Sequence, residues 1–134
     1  MTTRAMITTH PNPTGDLDVD KLAEAIDAAL ACAQTCTACA DACLAEEMVA
    51  ELRNCIRTDL DCADICATTA AVLSRLTGSN LAVVKAQLEA CRIACATCAE
   101  DCESHAEMHE HCRICAEACR RCEQACADLL TVIG

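Results

Sequence analysis

The 134-residue chain contains no Phe, Tyr or Trp. Those side chains normally supply the largest apolar volumes of a core, so something smaller must fill this one. Basic residues are also scarce. Ten Lys and Arg face 21 Asp and Glu, a formal net charge of -11. With neither basic patches nor stacking aromatics, the chain lacks the footprint for gripping phosphate backbones or anionic lipid. No segment approaches about twenty uncharged apolar residues, and the N-terminal stretch has no apolar run of the length a secretory signal needs. The expectation is a soluble, cytoplasmic protein that partners neither nucleic acid nor membrane. Its length suits one folding unit.

What is present in excess is cysteine, sixteen in all. In an oxidising compartment that density would read as a disulfide scaffold; in a reducing one, metal binding or redox chemistry is the better starting point.

Pro11, Pro13 and Gly15 stand among polar residues, so residues 1–17 are expected to be a flexible tail without regular structure. Residues 18–134 are expected to form one folded domain. There the sequence is rich in Ala, Leu, Glu and Arg, with apolar residues recurring at threes and fours. Asp18 or Asp20 suits a first N-cap. Gly78 and Ser79 mark a stop and a restart, and weaker breaks fall at Glu46 to Val49 and Ser104 to Glu107. The spacing predicts four helices near 18–45, 49–76, 80–103 and 107–131.

An internal repeat supports that division. CAQTCTACADAC at 32–43 matches CRIACATCAEDC at 91–102, and Cys55, Cys62 and Cys66 lie sixty residues before Cys115, Cys122 and Cys126. The chain reads as a duplicated helical hairpin. Short connections make neighbours antiparallel, which gives an all-α, up-down-up-down four-helix bundle.

At about 100 degrees per residue, Cys32, Cys36, Cys39 and Cys43 fall within roughly 60 degrees of arc, as do Cys91, Cys95, Cys98 and Cys102. Cys55, Cys62 and Cys66 share a narrow face, and Cys112, Cys115, Cys119, Cys122 and Cys126 span roughly 80 degrees. Gln34, Asp41, Arg92, Glu100, Glu117 and Arg120 occupy the opposite faces. All sixteen thiols can therefore line the core.

One or two such cysteines would be ordinary core packing; sixteen on four stripes are not. Disulfides within a stripe are strained, because residues three or four apart have Cβ atoms about 5–6 Å apart and a bridge prefers about 3.8 Å. Two collinear metal–sulfur bonds of about 2.3 Å separate sulfurs by about 4.6 Å, which fits. Buried thiolates must be neutralised, and a soft monovalent ion replaces each thiol proton one for one. Cu(I) prefers thiolate and thioether ligands, so many cuprous ions per chain are expected. A zinc or cadmium thiolate buffer is the alternative, although four thiolates around each zinc leave a formal charge of minus two. Iron–sulfur motifs need a loop and a Cys-Pro that are absent.

The motifs CTAC at 36–39, CATC at 95–98 and CRIC at 112–115 admit a thiol oxidoreductase as a further alternative. Such a site needs an exposed, acidified thiol at a helix start and a strand context. Neither is found, so no enzymatic activity is expected.

Helix direction separates the two ends. Leu22, Ile26, Leu30, Leu73, Leu76, Leu81, Val84, Leu88, Leu129 and Ile133 gather at one end as an aliphatic plug. At the other, Met48, His105, Met108, His109 and His111 lie beside Cys43, Cys102 and Cys112, a mouth where thioether and imidazole could pass ions inward. Met48 also suits core packing and the histidines a solvated turn. Asp59 sits on the thiol face, where the duplicate helix has Cys119, either as a carboxylate ligand or as a residue near water.

The four stripes, the duplicated hairpin and the missing aromatics closely resemble the cytosolic branch of the bacterial copper storage protein family, over about residues 18–131. The resemblance implies a bundle that fills its core with cuprous ions, a homotetramer, and a reserve or sink for copper. It implies that the sixteen cysteines are storage ligands and that the mouth His and Met residues assist them. A copper chaperone or chelator is the expected exchange partner. The second helix departs from the pattern, with Leu52 and Asp59 where its duplicate has Cys112 and Cys119, which leaves open whether metal sites run unbroken along that wall.

Overall fold

The computed structural model describes residues 2–12, 14, 17–78 and 80–133. It contains helices α1 (Thr2–Thr8), α2 (Val19–Leu44), α3 (Arg53–Leu73), α4 (Leu81–Glu103) and α5 (Glu110–Val132), with a 3-10 turn at Val49–Leu52 leading into α3. Local chemistry sets the ends. The Asp18 carboxylate accepts the backbone N–H of Asp20 at 2.8 Å and of Lys21 at 3.2 Å, satisfying donors that the first turn of α2 leaves free. Asn80 does the same for Val83 at 3.2 Å and starts α4. Ser79, the expected cap there, lies outside the described residues. Gly78 closes the preceding turn with φ +61°, a left-handed conformation that favours glycine.

Helices α2 to α5 form the expected antiparallel bundle. Each packs against two others in the cyclic order α2, α3, α4, α5, and backbone approaches across the diagonals do not occur among the described residues. Small side chains permit this. Ala25, Ala28, Ala29, Ala40, Ala63, Ala70, Ala99, Ala116 and Ala125 are buried between the helices, while the centre is left to sulfur.

The N-terminal segment departs from expectation. Rather than lacking regular structure, Thr2–Thr8 form α1, which packs on α2. A helix this short is marginal alone. It is held by Ile7, only 6% exposed, by the Thr3 hydroxyl donating to Asp27, and by the Arg4–Asp20 ion pair.

The plug is present in six of the ten expected positions, Leu22, Ile26, Leu73, Leu88, Leu129 and Ile133, with Leu76 and Val84 partly buried against it. Leu30 and Leu81 are 52% and 55% exposed. Leu81 is the first residue of α4 and Leu30 turns past Ala29 toward the flank that α1 crosses, so neither reaches the axis.

Candidate metal centre

All sixteen cysteines are free thiols, and none exceeds 2% exposure. Along a helix, Cys32–Cys36 and Cys62–Cys66 bring sulfurs to 3.7 Å. Between helices, Cys36–Cys119 and Cys66–Cys95 approach to 3.5 Å, Cys32–Cys62 to 3.8 Å and Cys91–Cys122 to 3.9 Å. These separations are shorter than the roughly 4.6 Å of a linear sulfur–metal–sulfur unit. An ion about 2.3 Å from each of three sulfurs needs edges of about 4.0 Å, close to the spacing present. Neighbouring helices therefore supply a third donor that sequence spacing along one helix does not reveal.

The donors fall into overlapping sets of four, with every donor atom within 4.8 Å of the others. Cys32, Cys66, Cys95 and Cys122 form one set; Cys32, Cys36, Cys62 and Cys119 follow toward the mouth, then Cys36, Cys98, Cys115 and Cys119. Consecutive sets share one or two sulfurs, so the column is unbroken through its lower half. Cys126 lies beside Cys91 and Cys122. Cys55 meets Cys102 at 3.7 Å.

Asp59 stands at one of the two positions where α3 lacks a cysteine. It is completely buried, not near water, and its Oδ1 accepts the thiols of Cys98 at 2.9 Å, Cys115 at 3.3 Å and Cys102 at 3.4 Å. Oδ2 has no hydrogen-bond partner. With Cys39, Cys102 and Cys115 it makes another four-donor set. The wall thus continues through a carboxylate. Burial, then negative charge at Cys98, pushes its carboxyl up to about 12, so it is protonated at neutral pH without metal. Leu52 is buried and offers no donor.

The mouth is built from the end of α2, the 3-10 turn and the start of α5. Cys39, Cys43, Cys112 and His111 form its four-donor set. His111 Nδ1 lies 3.4 Å from Cys39 Sγ and 3.7 Å from Cys112 Sγ, while its Nε2 meets Glu46 Oε2 at 2.9 Å. Glu46 also takes His109 Nδ1 at 3.0 Å, and the two rings stack with centroids 5.4 Å apart. If each ring donates its N–H to Glu46, His111 Nδ1 points its lone pair at two thiols and His109 Nε2 points its lone pair at Met48 Sδ, 3.1 Å away. That arrangement sets two donor atoms of the kind soft metal ions take side by side. A carboxylate behind an imidazole fixes tautomer and orientation.

The same contacts set the electrostatics of the mouth. The hydrogen bond from His111 leads in holding Glu46 below the usual carboxylate range. Burial alone would lower the His111 imidazole, but its contacts with Cys39 and Glu46 outweigh that and raise it. Burial, reinforced by negative charge at Cys39, pushes the Cys43 and Cys112 thiols up, so an incoming ion must displace their protons.

Two expected mouth residues stand apart. Met108 is 63% exposed, and the His105 side chain makes no hydrogen bond among the described residues; its carbonyl accepts the N–H groups of Met108 and His109. Glu46 is the residue that sequence reasoning missed. An acid in a turn carries no signal until the fold places two imidazoles over it.

A family model described as copper storage protein matches residues 18–131. The uncharacterized cysteine-rich protein YhjQ of Bacillus subtilis (strain 168) is 37% identical over 91 residues, 68% of this chain and 79% of that protein. Among solved structures, the copper storage protein Ccsp from Streptomyces lividans loaded with 10 copper equivalents is 55% identical, with a TM-score of 0.96 over 97% of this chain and 98% of that one. A structure of copper loading to a cytosolic copper storage protein from Streptomyces lividans, with five coppers, is 60% identical, with a TM-score of 0.85 over 86% of this chain and 96% of that one.

Proposed function

The chain belongs to the copper storage protein family, and from that premise we propose that it sequesters copper as many Cu(I) ions bound by the sixteen inward thiolates of residues 18–134. The observation that carries this reading is the column of overlapping four-donor sets, in which each sulfur can bridge more than one ion. Exchanging thiol protons for monovalent ions keeps a buried column close to neutral. Asp59 completes the ligand wall of α3, and His111, His109 and Met48 handle ions at the mouth. His105 and Met108 act, in this reading, only at its outer edge.

A thiol oxidoreductase fits poorly, because every cysteine of the three Cys-x-x-Cys motifs is buried and none sits exposed at a helix start. No catalytic role is proposed. No described helix is long and apolar enough to cross a membrane. The proposed compartment is the cytoplasm, the location named for the Streptomyces relative. A homo-oligomer, a tetramer by family resemblance, is the proposed assembly.

Titrating the reduced chain with Cu(I) in competition with a calibrated chelator tests the reading. Uptake should continue until the ion count approaches the sixteen thiols. Saturation after a few equivalents, or retention of zinc in preference to Cu(I), would overturn it.

A further inference from the structure

Two sets of sulfurs in the core close into tight triangles. Cys32 and Cys36 of α2 lie 3.7 Å apart, and Cys119 of α5 sits 3.7 Å from the first and 3.5 Å from the second. Cys62 and Cys66 of α3 repeat the arrangement with Cys95 of α4, at 3.7, 3.7 and 3.5 Å. Each triangle is a pair of thiols one helical turn apart, closed by a third from a helix packed alongside. All six are free thiols with no solvent exposure. A third triangle, Cys66, Cys91 and Cys122, is wider, with edges of 3.8, 3.9 and 4.0 Å, and borrows Cys66.

Edge length decides what such a triangle can hold. With bonds of about 2.3 Å, a planar three-sulfur site has edges of about 4.0 Å, which only the wider triangle approaches. For the same bond length, edges of 3.5 to 3.7 Å correspond to sulfur–centre–sulfur angles of about 99–107°, the shape of a pyramidal centre that carries a lone pair. Charge points the same way. Three thiolates leave a formal charge of minus two around a monovalent ion and minus one around a divalent ion, but none around a trivalent centre, and unbalanced charge in a dry core is costly. We propose that each tight triangle is a binding site for trivalent arsenic, taken up as arsenous acid, so that one chain holds two arsenic atoms. The incoming molecule is a neutral trihydroxide, which the net charge of -11 does not repel. At each site three arsenic–oxygen bonds break and three arsenic–sulfur bonds form. Each departing hydroxide leaves with one thiol proton as water, and arsenic stays trivalent throughout. Reversal needs water at the arsenic, and the packed helices exclude it. The triangles share donors with the copper column, but their fit to arsenic does not depend on how many copper ions that column takes.

The test is anaerobic titration of the reduced, metal-free chain, freed of reductant, with sodium arsenite, followed by gel filtration, elemental analysis and native mass spectrometry. Two arsenic atoms per chain should be retained, each adding the mass of arsenic less three hydrogens, and X-ray absorption should show three sulfur neighbours and no oxygen. Cys119→Ser and Cys95→Ser should each lose one of the two atoms, and the double variant should lose both. Cys55→Ser and Cys126→Ser, at positions also buried but outside both triangles, should keep two. Circular dichroism of the metal-free variants checks that they fold, and the wild-type count and sulfur shell test the sites without any variant. Retention of no arsenic, a count other than two, oxygen bound to arsenic, or the same loss in Cys55→Ser as in Cys119→Ser would overturn the proposal. Copper capacity is read separately: a chain that saturates with a few Cu(I) ions yet retains two arsenic atoms undoes the storage reading alone, and the reverse result undoes only the arsenic sites.

Discussion

Replacing Asp59 by Asn should stabilise the metal-free protein at neutral pH. Its carboxyl is pushed up to about 12 from an ordinary 3.8, so folding takes up one proton at every pH between those values. At pH 7 that uptake costs 2.303RT × (7 − 3.8), about 4 kcal/mol. This figure is set by the pH and the unfolded carboxyl, not by how far burial raises the folded one. Asparagine keeps an oxygen to accept the thiols of Cys98, Cys102 and Cys115, but places an amide NH2 where Oδ2 now has no partner, at about 1–3 kcal/mol. The net gain should be about 2 kcal/mol at pH 7. The sign follows from linkage. The folded state holds a proton that the unfolded state has lost, so wild-type stability falls as pH rises above about 4, by about 1.4 kcal/mol per pH unit relative to the variant. Urea unfolding followed by circular dichroism, at fixed protein concentration with reductant and chelator, measures both chains from pH 4.5 to 8. The difference should shrink toward acid pH and reverse sign there, as only the amide penalty remains. Parallel stability curves would refute a buried, protonated Asp59.

Joint replacement of His105, His109 and His111 should slow copper uptake and release more than it lowers final capacity, in stopped-flow traces set beside endpoint titrations; unchanged rates with a large capacity loss would reverse the assigned roles. The reduced, metal-free protein should be helical, because thiols are apolar and the aliphatic plug needs no metal; a random-coil circular dichroism spectrum would contradict this. Leu129→Ala, at a completely buried position of the plug, should cost about 2–5 kcal/mol in urea unfolding while leaving copper capacity unchanged. A parallel loss of capacity would mean that plug and sulfur column are not separable.

The bundle was legible because its signals are periodic and local. Cys32 to Cys43 and Cys91 to Cys102 repeat at helical spacing, and Asp18 caps α2 as its position before the apolar run suggests. What escaped depends on contacts made at a distance. The short helix α1 owes its order to Ile7 and to Asp20 and Asp27 of α2, which composition around Pro11 and Pro13 does not disclose. The end of α3 came early, at Leu73, where the Ser74 hydroxyl folds back 2.7 Å from the Ala70 carbonyl. Asp59 was placed on the right face by phase alone, but its three thiol partners come from α4 and α5. The shortest sulfur–sulfur approaches also lie between helices, so donor number per ion could not be read from one stripe.

Because neighbouring donor sets hold members in common, the interior has no discrete compartments that must be filled or emptied whole. Deleting a single thiol would then trim the reservoir by a fraction and leave its neighbours to regroup. Such a lining tolerates sequence drift at individual positions far better than an enzyme pocket does.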